Sequence, residues 1–150
     1  MYKPITIEKK LTINTFYSAF EGHYSKDYVF RGETHNFWEM VYVIEGELCV
    51  CADDRIYNIT ENQLIFHKPM ELHKFNIENN RSAKLFITSF ELESSIEDCF
   101  KNKVFTLTDE HSGMIMDIMT MMKRDFGKEA ARDRYPGIKS LDYEIVLRHP

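Results

Sequence analysis

Glu33, His35 and Glu39 stand close together in GETHNFWEMVYVIEGEL, residues 32–48, and His73 follows in FHKPMELHKF. Carboxylates and imidazoles are the side chains that hold divalent metal ions, exchange protons near neutrality and hydrogen-bond polar ligands. In an extended strand, residues two apart share a face, so Glu33, His35, Phe37, Glu39, Val41 and Val43 line one side and Trp38 and Tyr42 the other. Ionisable groups on an otherwise apolar inward face are costly to bury alone. They must pair with one another, stay hydrated, or be held for a ligand or a metal ion. His73 lies after a proline-bearing turn and before another strand, where it can lean back over the sheet end and complete the group.

Three chemistries fit this set. Two histidines with carboxylates could hold zinc, iron, manganese or nickel, could form the wall of a ligand pocket, or could be a half-buried network in which the imidazoles hydrogen-bond Glu33 and Glu39. Arg31 could grip an anionic ligand group by paired hydrogen bonds, although a lone Arg at a strand end is more often a solvated charge. Trp38 and Tyr42 are expected to pack beneath a helix on the outer face. His67 has no partner that the sequence names.

Such a group needs strands to position it. From Leu11 to Phe90 the stretches LTINTFYSAF, DYVFRG, FWEMVYVIEGELCVCA, RIYNITENQLIFH, HKFNIEN and AKLFITSFEL are short, β-branched and aromatic, with polar turns between them. That pattern predicts antiparallel strands in a sandwich or small barrel, with the interior as the natural pocket. Asp53 and Asp54 suit a tight hairpin turn. After Phe90 the period changes. Ser94 and Glu97 have capping-box spacing for a short helix. Thr108 can cap a second helix that carries Asp109 and Glu110 in its first turn and Ile115, Ile118, Met119, Met122 and Phe126 on one face, widened by Met114 and Met121. So broad an apolar arc suits packing on the sheet together with a partner chain. Helical spacing resumes through Ile138, Leu141 and Ile145 after Pro136-Gly137, just as the sequence ends, which points to a larger parent protein.

Composition narrows the classes further. A chain of 150 residues, 43% hydrophobic and 13% aromatic, is about one domain with enough apolar matter for a core. Its 24 acidic and 19 basic residues give a net charge of −5 without a basic stripe, which argues against direct DNA binding by this segment. Charges interrupt every apolar stretch, so no signal-peptide core or membrane span is expected and the protein reads as cytoplasmic. Cys49, Cys51 and Cys99 lack zinc-site spacing and are expected to be reduced packing residues.

The two motifs together resemble those of the cupins. In the first, G-x5-H-x-H-x3-E-x6-G, Glu33 stands at the first His position, with His35, Glu39 and Gly46 in register; in the second, G-x5-P-x-G-x2-H, Asn62, Lys68 and Met70 replace Gly, Pro and Gly while His73 keeps its place. Within that superfamily, HNFWEMVYVIEGE followed by LIFHKPMELHKF is similar to the N-terminal effector domain of AraC/XylS-family transcription regulators, over roughly residues 5 to 125.

The resemblance implies a mainly β fold with C-terminal α: a cupin-like double-stranded β-helix, or jelly-roll barrel, over residues 1–105, then two or three helices over 106–150 for dimerisation and linkage. It implies a small-molecule effector, such as a sugar, bound by Arg31, Glu33, His35, Phe37, Glu39 and His73. It also implies a homodimer through the C-terminal helices, with DNA contacted only through a helix-turn-helix module outside this chain. No cofactor is required on this reading. The alternative is a small metal-dependent cupin enzyme, a dioxygenase, isomerase or decarboxylase, with Glu33, His35, Glu39 and His73 as metal ligands.

Overall fold

Apolar and polar residues alternate through most of the chain, and the backbone takes up that period. A computed structural model describes residues 2–26 and 28–126. It contains strands β1 (Leu11–Tyr24), β2 (Val29–Glu33), β3 (Trp38–Ala52), β4 (Arg55–Thr60), β5 (Gln63–His67), β6 (His73–Asn76), β7 (Ala83–Ser94) and β8 (Val104–Thr106), then one helix, α1 (Asp109–Phe126). Every strand pairing among the described residues is antiparallel.

The long strand β3 belongs to two sheets. Its first half lies between β7 and β5 in the order β1-β7-β3-β5-β8, and its second half pairs with β4 and β6, with β2 beyond β6. The change occurs at Gly46, whose φ of +84° is in the left-handed region and where a Cβ would run into the main-chain carbonyl of Ser82. Only glycine fits there. Asn62 and Met70, which stand at two further glycine positions of the cupin pattern, keep left-handed geometry with φ of 62° and 65°. Asp53, in the expected β3–β4 hairpin turn, does so as well, at 52°.

One apolar layer fills the space between the sheets: Val41, Val43, Leu48, Val50, Ile59, Ile65, Leu85 and Ile87 are buried with Tyr24, Phe75 and Ile77. At roughly 1.5–3 kcal/mol for each large side chain fully removed from water, this layer is the main source of the barrel's stability. A second layer covers the outer face, where Trp38, Met40, Tyr42, Phe86 and Phe90 pack with Met119 and Met122 of α1. Trp38 and Tyr42 therefore lie beneath a helix, as their side of the strand predicts.

One expectation needs correction. SSIEDCF forms a single 3-10 turn at Glu97–Cys99, not a capped α-helix; Ser94 ends β7, and its hydroxyl accepts the Ile96 amide at 2.9 Å instead of closing a capping box with Glu97. Of the two or three helices expected after the barrel, α1 is described, and the segment through Ile138, Leu141 and Ile145 lies outside the described residues. In α1, Thr108 caps as expected by accepting the His111 amide. Met119 and Met122 are buried and Ile115 is half-buried, whereas Met114, Ile118 and Met121 are 51%, 38% and 45% exposed. The Phe126 side chain lies outside the description.

Gly46→Ala should lower stability by about 1–3 kcal/mol through backbone strain. Gly113→Ala, at a helix position with open space around it, should raise it by about 0.5–1 kcal/mol. Urea denaturation of the two variants beside the parent chain checks both signs.

Candidate functional site

The strand that was to present Glu33, His35, Phe37 and Glu39 on one face is broken. Glu33 ends β2, Glu39 lies in β3, and His35 and Phe37 lie in the bend between them, where the chain crosses from one sheet to the other. Convergence nevertheless holds, because the bend is pinned: His35 Nδ1 donates to the Phe37 carbonyl at 2.9 Å, and the Met70 amide donates to the His35 carbonyl at 2.7 Å. Cross-strand pairing sets Glu33 opposite His73, and Glu39 between His67 on one side and Ser89 on the other.

The result is a compact polar group at one end of the barrel. One ligand atom from each of Glu33, His35, Glu39 and His73 lies within 4.8 Å of the others. His73 Nε2 is 3.5 Å from Glu39 Oε1 and 3.6 Å from Glu33 Oε1, and His35 Nε2 is 3.8 Å from Glu39 Oε2. These separations exceed direct hydrogen bonds, so the attraction is electrostatic across a small gap. Phe37 stacks on His35 at 3.9 Å between ring centres, and Tyr17 stacks on Phe37 at 4.1 Å. Arg31 is exposed on β2 and is not among the grouped side chains.

Charge in the group follows from burial and pairing. Burial opposes a charged His73, but the carboxylates of Glu33 and Glu39 outweigh it and push the pKa up to about 10. Burial likewise opposes an ionised Glu39, but the imidazoles of His35 and His73 hold its carboxyl well below the usual range. The ring orientations are set by main-chain acceptors. A carbonyl can only accept, so Nδ1 is the donor both in His35, to Phe37, and in His73, to the Glu71 carbonyl at 3.1 Å. Both Nε2 atoms then face the carboxylates, and a metal ion would take His73 only in place of its Nε2 proton. The donor set fits a divalent ion and fits equally a ligand bearing amine or hydroxyl donors.

Supporting residues were not singled out from the sequence. Ser89 donates to Glu39 Oε2 at 3.1 Å, and Ser18 donates to Ser89 at 3.1 Å; both serines are buried. Their signal was parity, since Ser89 shares the inward face of β7 with Leu85 and Ile87. His67 does have a partner: its Nδ1 lies 2.7 Å from Glu71 Oε1, both side chains are 2% exposed, and its ring stacks on His73 at 4.3 Å. Burial lowers the His67 pKa, so a neutral imidazole donates to a carboxylate that His67 and Lys68 keep ionised against its own burial.

A small jelly-roll barrel with a buried carboxylate–imidazole group at one end is the architecture of a ligand-binding cupin-type domain. Residues 17–137 match the family described as AraC-like ligand binding domain, and the chain belongs to that family. A curated relative, the uncharacterized HTH-type transcriptional regulator YfiF of Bacillus subtilis, is 32% identical over 78 residues, which is 52% of this chain and 24% of YfiF. The chain thus spans about a quarter of the length of that relative. Among solved structures it is similar to an RmlC-like cupin family protein with a double-stranded β-helix fold from Methanocaldococcus jannaschii, at 13% identity and a TM-score of 0.44, covering 57% of this chain and 74% of that one. It is also similar to a cupin 2 conserved barrel domain protein from Rhodopseudomonas palustris, at 14% identity and a TM-score of 0.42, covering 69% and 61%. No described helix is long and apolar enough to cross a membrane.

A group that binds its proton more tightly when folded stabilises the fold below its unfolded pKa and loses that effect as pH rises through the folded one. The stability advantage of the parent chain over His73→Gln should therefore be full at about pH 6 and decline between 6.5 and about 10. Thermal denaturation in chelator across this range measures it. A difference that grows toward alkaline pH would contradict the assigned charge state.

Proposed function

We propose that this chain is the effector-sensing and dimerising part of a cytoplasmic AraC-type transcription regulator, with a small molecule bound at the polar end of the barrel. The observation that carries the reading is the group of half-buried Glu33 and His35 with buried Glu39 and His73, with both Nε2 atoms turned toward two carboxylates. Carboxylates so arranged bind amine or hydroxyl donors, and a sugar is one such ligand. Phe37 would cover the His35 side of the site, and Arg31, on the rim, would contact only a ligand that extends out of it.

Residues 1–105 are assigned to sensing and 106–150 to dimerisation and linkage. Met114, Ile118 and Met121 recur along one exposed stripe of α1, next to an apolar cavity of about 190 Å³ lined by Leu11, Ile13, Phe16, Phe90 and Ile115 among others. Such a surface supports a homodimer through the C-terminal helices. DNA would be bound by a helix-turn-helix module outside this segment, which supplies the positive charge this chain lacks. An effector acts in such a protein through its different affinity for two placements of the attached modules.

The second reading, a metal-dependent cupin enzyme, is favoured by the same four ligand atoms lying within 4.8 Å of one another. Glu33, His35, Glu39 and His73 would hold zinc, iron, manganese or nickel, which would supply Lewis-acid or redox chemistry. The regulator reading requires no metal.

The double variant His35→Gln/Glu39→Gln in the full-length regulator should lose at least about tenfold in effector response while operator binding persists; an unchanged response overturns the pocket assignment. Metal analysis and chelation separate the two readings. One ion per chain, removed by His73→Gln together with an activity, would replace the regulator reading. Sedimentation should show a dimer that Met114→Glu/Met121→Glu converts to monomer.

A further inference from the structure

Lys68, Glu71 and His67 form a second charged group that does not belong to the four-residue site yet touches it from behind. Lys68 Nζ is 2.5 Å from Glu71 Oε2, and His67 holds the other carboxylate oxygen. Stability does not explain the burial of Glu71. Taking a carboxylate out of water is expensive, and apolar residues of similar volume commonly serve a core as well or better.

Two contacts join this group to the site. The main-chain carbonyl of Glu71 accepts the Nδ1 proton of His73, and the ring of His67 lies flat on that of His73, at 4.3 Å and 14°. Lys68 extends the connection outward. Its ammonium also reaches Asn102 Oδ1 at 3.2 Å and Asp53 Oδ2 at 3.4 Å, and Arg55 donates to the same Asn102 oxygen at 2.7 Å. Asn102 sits in the turn that leads into β8 and from there to α1. The loop carrying Glu71 is itself fixed, since Asp53 exchanges two hydrogen bonds with Leu72 and the Met70 amide is held by His35.

We propose that Lys68, Glu71 and His67 are positioning residues that set the orientation of His73 and tie the occupancy of the site to the segment entering β8 and α1. The inference rests on the effector-binding reading of the site, but its test needs no ligand. The ring nitrogen resonances of His73 and the hydrogen exchange of the Val104–Thr106 amides are followed in the whole chain carrying Lys68→Met, Glu71→Gln, His73→Gln, or Lys68→Met with His73→Gln. Lys68→Met and Glu71→Gln should both displace the His73 resonances. Lys68→Met and His73→Gln should each speed exchange about tenfold, and the double variant should fall short of the product of the two. Ile59→Val, a loss of core packing, should lower Tm while moving neither readout. Asn102→Gly, at a φ of 58° that glycine tolerates, removes the oxygen that Lys68 and Arg55 share and serves if Lys68→Met fails to fold; it should remove the effect of His73→Gln on exchange. Unmoved His73 resonances, or effects that simply multiply, would overturn the proposal. Failure of effector binding in the full-length regulator would leave these ligand-free results intact, so the two ideas fail separately.

Discussion

Carboxylates and imidazoles buried at the end of an apolar barrel are tolerable only in one another's company, and much of the local structure follows from that constraint. Glu39 is buried because His35 and His73 flank it and Ser89 donates to it. The histidines can serve because two carbonyls, those of Phe37 and Glu71, take their Nδ1 protons and turn Nε2 inward. Those carbonyls lie in the bend before β3 and in the loop before β6, so the shape of both connections is tied to the electrostatics of the site.

The apolar layers divide the remaining work. The layer between the sheets holds the strands at the spacing that lets Glu33, Glu39 and His73 approach from three of them. The outer layer binds α1 through Met119 and Met122 while leaving Met114 and Met121 exposed. One helix therefore contributes to the domain's own core and still offers an apolar stripe.

Much of this was legible in the sequence because period-two patterning and motif spacing are local signals. The antiparallel strands, the turn at Asp53, the outward Trp38 and Tyr42, the cap at Thr108 and the set of Glu33, His35, Glu39 and His73 all follow from residues close in the chain or from the spacing of two short motifs. Other features depended on contacts that no local rule encodes. The bend at residues 34–37 exists because β2 and β3 join different sheets. Ser94 has the spacing of a cap to Glu97, but pairing of β7 with β1 extends as far as Ser94 and leaves room for only one turn. Ser89 and Ser18 are small polar residues whose role appears only across strands. His67 looked isolated because its partner comes from the far side of the turn around Pro69.

The pairing of β1 with β7 also bears on synthesis. Leu11 lies opposite Ser94 and Tyr24 opposite Ala83, and β7 is the strand that β1 pairs with among the described residues. A ribosome adding about 5–20 residues per second needs roughly 3–12 s to make the chain between Tyr24 and Ala83. During that interval a long β-forming segment with Phe16, Ala19 and Phe20 waits without its partner. Barrel closure thus waits for β7, and β1, left without its partner over that interval, is exposed to wrong pairing while the polypeptide is still growing.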